Sequence, residues 1–96
     1  MARVEVARAA IEDLDRLIRV SSLLADTRDR VKRSLQPLAR LPRLGPELNG
    51  RWEGFRFILG PWRWLLIVYV FEEPGDRAVV VTMQDARSSA APTASR

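Results

Sequence analysis

The sequence predicts an α+β fold: an antiparallel sheet of about four strands, elements in the order β-α-α-β-β-β, with a helical hairpin packed on one face. Three observations predict it. Arg3-Val4-Glu5-Val6 and the run from Phe55 to Leu59 alternate with the period of a pleated strand. Between them, apolar residues recur at helical spacing. From Trp62 to Phe71 the chain is almost free of polar interruption, as expected of a central strand covered on both faces.

A first strand is expected at about Ala2 to Val6, with Val4 and Val6 toward the core. From Ala9 the period changes. Ile11, Leu14 and Ile18 on one row, with Leu17 and Leu24 beside it, form a helical stripe, while Glu12, Asp13, Asp15, Arg16 and Arg19 face away and Asp15 pairs with Arg19. Asp26 reads as the N-cap of a second helix whose apolar row is Val31, Leu35 and Leu38. Pro37 removes a hydrogen bond to the Arg33 carbonyl and kinks that helix, and the breakers from Leu41 to Pro46 end it.

Gly60-Pro61 turns the chain between the Phe55–Leu59 strand and the central strand. Trp62 and Trp64 are expected to share a face, at least one of them under the helices, and Arg63 to lie on the other face with Leu65 and Ile67, either in an ion pair with Glu53 or Asp85 or on a functional surface. After the polar turn Glu72-Glu73-Pro74-Gly75-Asp76, Ala78 to Met83 is a β-branched run that pairs antiparallel with the central strand.

The 96 residues fit one domain, residues 1–88, followed by a small, polar, alanine-rich tail, 89–96, expected to be disordered. The chain has no Cys and no His, which excludes disulfides, thiolate metal sites and the commonest general acid/base. Carboxylates, Tyr69 and the single lysine, Lys32, remain for proton transfer. With no glycine-rich phosphate loop, nucleophile elbow or zinc spacing, neither a cofactor nor a metal is expected, and Glu72, Glu73 and Asp76 read as solvated turn residues. The apolar run Trp64 to Val70 falls short of the roughly 20 residues of a membrane span, so a cytoplasmic protein with no membrane partner is expected.

The net charge of +4 is unevenly placed. Arg28, Arg30, Lys32, Arg33, Arg40 and Arg43 stand against Asp29 alone, so the second helix is a basic segment in an otherwise balanced chain. It is either a solvated face or one that meets an anionic partner.

The element order, the phrase Pro42-Arg43-Leu44-Gly45, and Gly60-Pro61-Trp62-Arg63 before an apolar strand together resemble the RelE/ParE superfamily of toxins from type II bacterial toxin–antitoxin systems, over Arg3 to about Ser89. The family's aromatic-then-basic pairs resemble Phe55-Arg56 and Trp62-Arg63 here, and its terminal motif resembles Asp85-Ala86-Arg87-Ser88. The resemblance implies a cytoplasmic toxin that inhibits growth, and so serves plasmid stabilisation, by acting on DNA gyrase or on translation as a ribosome-dependent mRNA endonuclease. It further implies a cognate antitoxin as partner, the complex binding operator DNA through the antitoxin. A non-toxic relative acting only as an interaction module would carry the same features.

RNA cleavage needs a base for the 2′-hydroxyl, charge stabilisation at phosphate and a proton for the leaving oxygen. Arg56, Arg63 and Arg87 suit the second task, since guanidinium forks onto phosphate oxygens but is too basic to accept a proton. Asp85 is the candidate base, and Glu53 and Tyr69 are no better placed. Cleaving members of the family carry further basic residues on the second strand and a tyrosine near the end, where this chain has Ile58 and Ser88-Ser89-Ala90. An enzyme built this way would be a metal-independent endoribonuclease; a toxin that acts by binding needs no such constellation. Trp52, Trp62 and Trp64 either pack in the core or stack on bases.

Overall fold

The computed structural model describes residues 1–94. Strand β1 (Arg3–Val6) leads into helix α1 (Arg8–Val20), helix α2 (Thr27–Leu35) and a short helix α3 (Pro37–Arg40). A 3₁₀ turn (Gly50–Trp52) precedes β2 (Arg56–Leu59), β3 (Leu65–Glu72) and β4 (Arg77–Asp85). The four strands form one sheet in the order β1-β4-β3-β2.

As the long apolar run foretold, β3 is central, antiparallel to β2 on one side and to β4 on the other. The sheet is not wholly antiparallel. β1 lies parallel to β4, Arg3 facing Arg77 and Val6 facing Val80, because the helices and the β2–β3 hairpin separate the two strands in sequence and β1 takes the edge that β4 leaves free.

Each face of β3 has its own core. On the helical face Leu65, Ile67 and Tyr69 pack with Ala10 and Leu14 of α1, Val31 and Leu35 of α2, Leu38 of α3, and Ala78, Val80 and Met83 of β4. Val4 and Val6 join that side, as their alternation requires. On the other face Leu66 and Val68 are covered by Leu48, Ala91, Trp52, Phe55 and Phe57, which the loop before β2, β2 itself and the C-terminal segment supply. Of the stretch expected as a disordered tail, Ala91 is thus buried, and residues 95–96 lie outside the described residues. Since β3 is sealed on both faces, only its ends and the loops beyond them can present functional groups.

Several local expectations are corrected. Leu14, Leu17 and Ile18 face the core, but Ile11 and Leu24 are exposed. Asp13 faces inward: its carboxylate accepts from the Thr82 hydroxyl and, at 3.3 Å, from the Met83 amide. β1 pairs only with Arg77–Val80, so beyond Val80 the β4 edge lacks a strand and Asp13 satisfies one of its amides. Asp15 reaches Arg28 of α2 at 2.6 Å rather than Arg19. Asp26 makes no capping bond and pairs with Arg30 instead, because its ψ of 6° is far from the extended geometry of an N-cap.

At Pro37 the helix divides: α2 ends at Leu35 and α3 starts at the proline, Gln36 keeping helical dihedrals between them. Pro37 has no N–H for the Arg33 carbonyl, which takes the Gln36 amide at 3.3 Å. Leu38 therefore stays in phase with Val31 and Leu35, all three buried.

Candidate functional site

β3 does not extend back to Trp62. Trp62, Arg63 and Trp64 belong to a turn closed by the Leu65 amide on the Trp62 carbonyl at 3.1 Å, with Gly60 N–H on the Leu65 carbonyl at 2.9 Å. Alternation is lost across this turn. Leu65 and Ile67 therefore face the helices rather than the opposite side, and Arg63 is exposed at the tip instead of projecting from a strand. Among the described residues Arg63 makes no ion pair, so of the two alternatives the bridge to Glu53 or Asp85 is not formed.

The same turn stacks Trp62 on Trp64, ring centroids 5.6 Å apart and planes 9° from parallel. Both rings are half-buried against the helical core. They meet the end of β4, since Leu65 faces Asp85 and the Ala86 amide donates to the Trp64 carbonyl at 2.6 Å. There the Arg87 guanidinium lies over the Trp64 ring, 4.8 Å from its centroid. It also forks onto the Asp85 carboxylate at 2.9 and 2.8 Å, while the Arg87 amide donates to the same carboxylate at 2.9 Å.

These hydrogen bonds from Arg87 hold the Asp85 carboxyl below the ordinary carboxylate range. An acid so stabilised as its anion is a weak acceptor for a hydroxyl proton near neutrality. Asp85 thus orients Arg87 and is poorly suited to act as a base, and Arg87 itself stays exposed to solvent.

Arg56 does not join this group. It faces Tyr69, four residues along β3 from Leu65 or about 13 Å by strand rise. Its guanidinium donates to the Gly45 carbonyl at 2.7 Å, the Arg43 carbonyl at 3.3 Å and the Glu47 carboxylate at 3.4 Å. Tyr69, fully buried, accepts the Gly45 amide at 3.0 Å, and burial pushes its phenol above the usual value. Gly45 lies so close to the Phe57 carbonyl that no Cβ fits. Arg56, Tyr69 and Gly45 form a latch on the loop between α3 and β2, which occupies two groups that the sequence offered for chemistry.

The candidate site is therefore Arg87 over the Trp64 ring of the tryptophan pair, with Asp85 holding Arg87 and the exposed Arg63 between the two tryptophans in the turn. Trp64, which the sequence offered as a core or base-stacking residue, is the ring under Arg87. The aromatic alternative is resolved unequally: Trp62 and Trp64 are half-buried at the site, while Trp52 stands edge-on to Phe55 at 5.7 Å on the other face. Among the described residues no group of His, Cys, Asp or Glu is arranged to hold a metal ion, and no helix is long and apolar enough to cross a membrane.

No protein-family model and no curated protein sequence matches the chain. Solved structures do. The chain superposes on a chain of the chromosomal ParDE toxin–antitoxin system from P. aeruginosa with a TM-score of 0.69 at 14% identity, over 91% of this chain and 98% of that one. Against the intact E. coli RelBE toxin–antitoxin complex the values are 0.65, 14%, 92% and 100%. Against the YoeB/ParE toxin from Agrobacterium tumefaciens they are 0.65, 16%, 86% and 96%. At these identities the likeness establishes the fold: the chain is built on the architecture of the RelE and ParE toxins.

Proposed function

We propose that this protein, built on the RelE/ParE toxin fold, is the toxin of a toxin–antitoxin pair, that it arrests growth by binding its target rather than by cutting RNA, and that the target is DNA gyrase. The observation that favours binding over cutting is the state of the proton-transfer groups, and of the two targets that the resemblance implies gyrase is the one met without cleavage. Asp85, the carboxylate at the candidate site, is tied to Arg87 in a fork, and Tyr69 is buried on Gly45 away from it, which disfavours either as the acceptor of a hydroxyl proton. Arg63, Arg87 and the tryptophan pair are suited to contact instead, since arginine and tryptophan dominate protein-binding hot spots. The antitoxin rests on the solved relatives, which include toxin–antitoxin complexes.

The test is gyrase supercoiling with the purified protein. Inhibition by the wild type, lost in Arg63→Ala and Arg87→Ala variants of unchanged circular dichroism, is the expected result. Full supercoiling at a large molar excess of wild-type protein contradicts the choice of gyrase.

A further inference from the structure

On the side of the sheet turned away from the helices, a cavity of about 820 Å³ lies between the chain from Leu48 to Trp52, Gln84 of β4 and the C-terminal segment from Ser89 to Pro92. That is the size of a small-molecule pocket, roughly 300–1,000 Å³. Its walls are tied in place on both sides. The Trp52 amide donates to the Asn49 carbonyl at 3.3 Å and the Glu53 amide to the Gly50 carbonyl at 3.0 Å, which closes the 3₁₀ turn. Across from it the Ser88 amide donates to the Asp85 carbonyl at 3.0 Å and the Ala91 amide to the Ser88 carbonyl at 3.1 Å, while Ala91 is buried with Leu66 and Val68.

Leu48, Ala91 and the half-buried Trp52 make the apolar part of the lining. Two polar side chains set its chemistry. Arg51 is the one charged residue of the lining, and it is exposed and, among the described residues, in no ion pair. A guanidinium with no carboxylate beside it selects an anionic group. Gln84 supplies an acceptor. The Thr82 hydroxyl spends its one proton on Asp13, so toward Gln84 its oxygen accepts, from Nε2 at 3.4 Å. Gln84 Oε1 is thereby left for a donor on a ligand.

We propose that this cavity binds a small aromatic carboxylate that carries a ring N–H or hydroxyl, its carboxylate on Arg51, its ring beside Trp52 and its donor on Gln84 Oε1. One cation matches one anionic group. A nucleic-acid strand has a charge at every phosphate and gathers several cations, and no lining residue other than Arg51 carries one. The ring face of Trp52 and the apolar side chains around it select an aromatic body over a bare inorganic anion. Gln84 and Ser89 flank the Asp85–Arg87 fork in sequence, so the occupant touches the chain on both sides of it. The site uses neither Arg63 nor Arg87 and stands whether or not the protein is a toxin.

The test is a proton–nitrogen correlation NMR titration of the full chain with molecules that share one ring and differ in charge: indole-3-acetate, anionic; indole-3-acetamide, neutral; and tryptamine, cationic. The expected result is saturable shifts at the Arg51, Trp52 and Ala91 amides with indole-3-acetate. Binding should weaken about tenfold or more with the acetamide and in Arg51→Gln, the worth of one charge-assisted contact, and should be lost in Ala90→Trp, which fills the cavity from an exposed position. No shift at those amides, tryptamine bound as tightly as the acetate, or indifference to either substitution overturns the inference. So does a single-stranded RNA oligonucleotide that shifts the same amides and displaces indole-3-acetate, which would make the cavity a nucleotide subsite.

Discussion

At residue scale, the loop latch turns on Tyr69 and Gly45. Tyr69→Phe leaves the buried Gly45 amide without its acceptor and should lower stability by about 1–3 kcal/mol in urea unfolding. Gly45→Ala forces a Cβ against the Phe57 carbonyl and should cost a similar ~1–3 kcal/mol. The Tyr69 phenol is raised in the fold, so its contribution is complete below the unfolded value near pH 10 and is lost as pH climbs through the folded one; wild type should weaken there more steeply than Tyr69→Phe. Asp85 runs the other way. Its folded value is depressed by Arg87, so the fork persists at and above the ordinary carboxylate range and dissolves only as pH falls through the lowered value. An NMR titration should place the Asp85 midpoint below the ordinary carboxylate range, and Arg87→Ala should return it toward that range.

Residue types were legible in the chain where composition decides them. The lack of His and Cys narrowed the chemistry before any fold was considered, and Arg63 and Arg87 do lie at one end of the sheet beside Trp64. What Arg56 does was hidden. An arginine beside an aromatic in a short strand reads the same whether it meets a target or three groups of a loop nine to thirteen residues back, because that contact exists only after β2 and β3 pair.

At the scale of elements, β3 was readable because a run apolar on both faces has few other places in a small fold. Its start was not. Trp62 and Trp64 look like strand residues by hydropathy, yet the five residues Gly60–Trp64 are spent on the turn, and the alternation that placed Arg63 with Leu65 and Ile67 is broken there. β4 hides a second break. Val68 faces Thr82 while Tyr69 faces Val80, so Val81 is the extra residue of a bulge; Ala78 and Val80 face the helices, and the next to do so is Met83. The bulge follows the point where β1 ends and Asp13 takes over the β4 edge, a long-range fact that no local pattern carries. Asp13→Ala should therefore destabilise by about 1–3 kcal/mol even though helix periodicity puts residue 13 on the wet side. Leu38→Ala, a deletion at a fully buried position of α3, should cost about 2–5 kcal/mol, and the comparison of the two in one denaturation series checks both.

For the molecule as a whole, the division of labour follows from a sheet sealed on both faces. Burial leaves the two ends of β3 exposed: Arg63, Trp64 and Arg87 lie at one, and Arg43 over Phe71 at the other. Charge placement was visible at the outset, since residues 28–43 carry six cations and one carboxylate; which of those cations remain uncommitted emerged only when Arg28, Arg30 and Arg43 found partners. Growth arrest on induced expression should be relieved by Arg63→Ala and Arg87→Ala at unchanged protein level, and should be insensitive to Asp85→Glu, which keeps the anion that holds Arg87.

The most direct test of a toxin that binds rather than cuts is primer-extension mapping of message ends in a culture arrested by induction of the wild-type chain. Binding without cleavage predicts arrest with no new 5′ ends. Ends that appear on induction and vanish in the Arg87→Ala strain contradict it, and so does a culture that keeps growing.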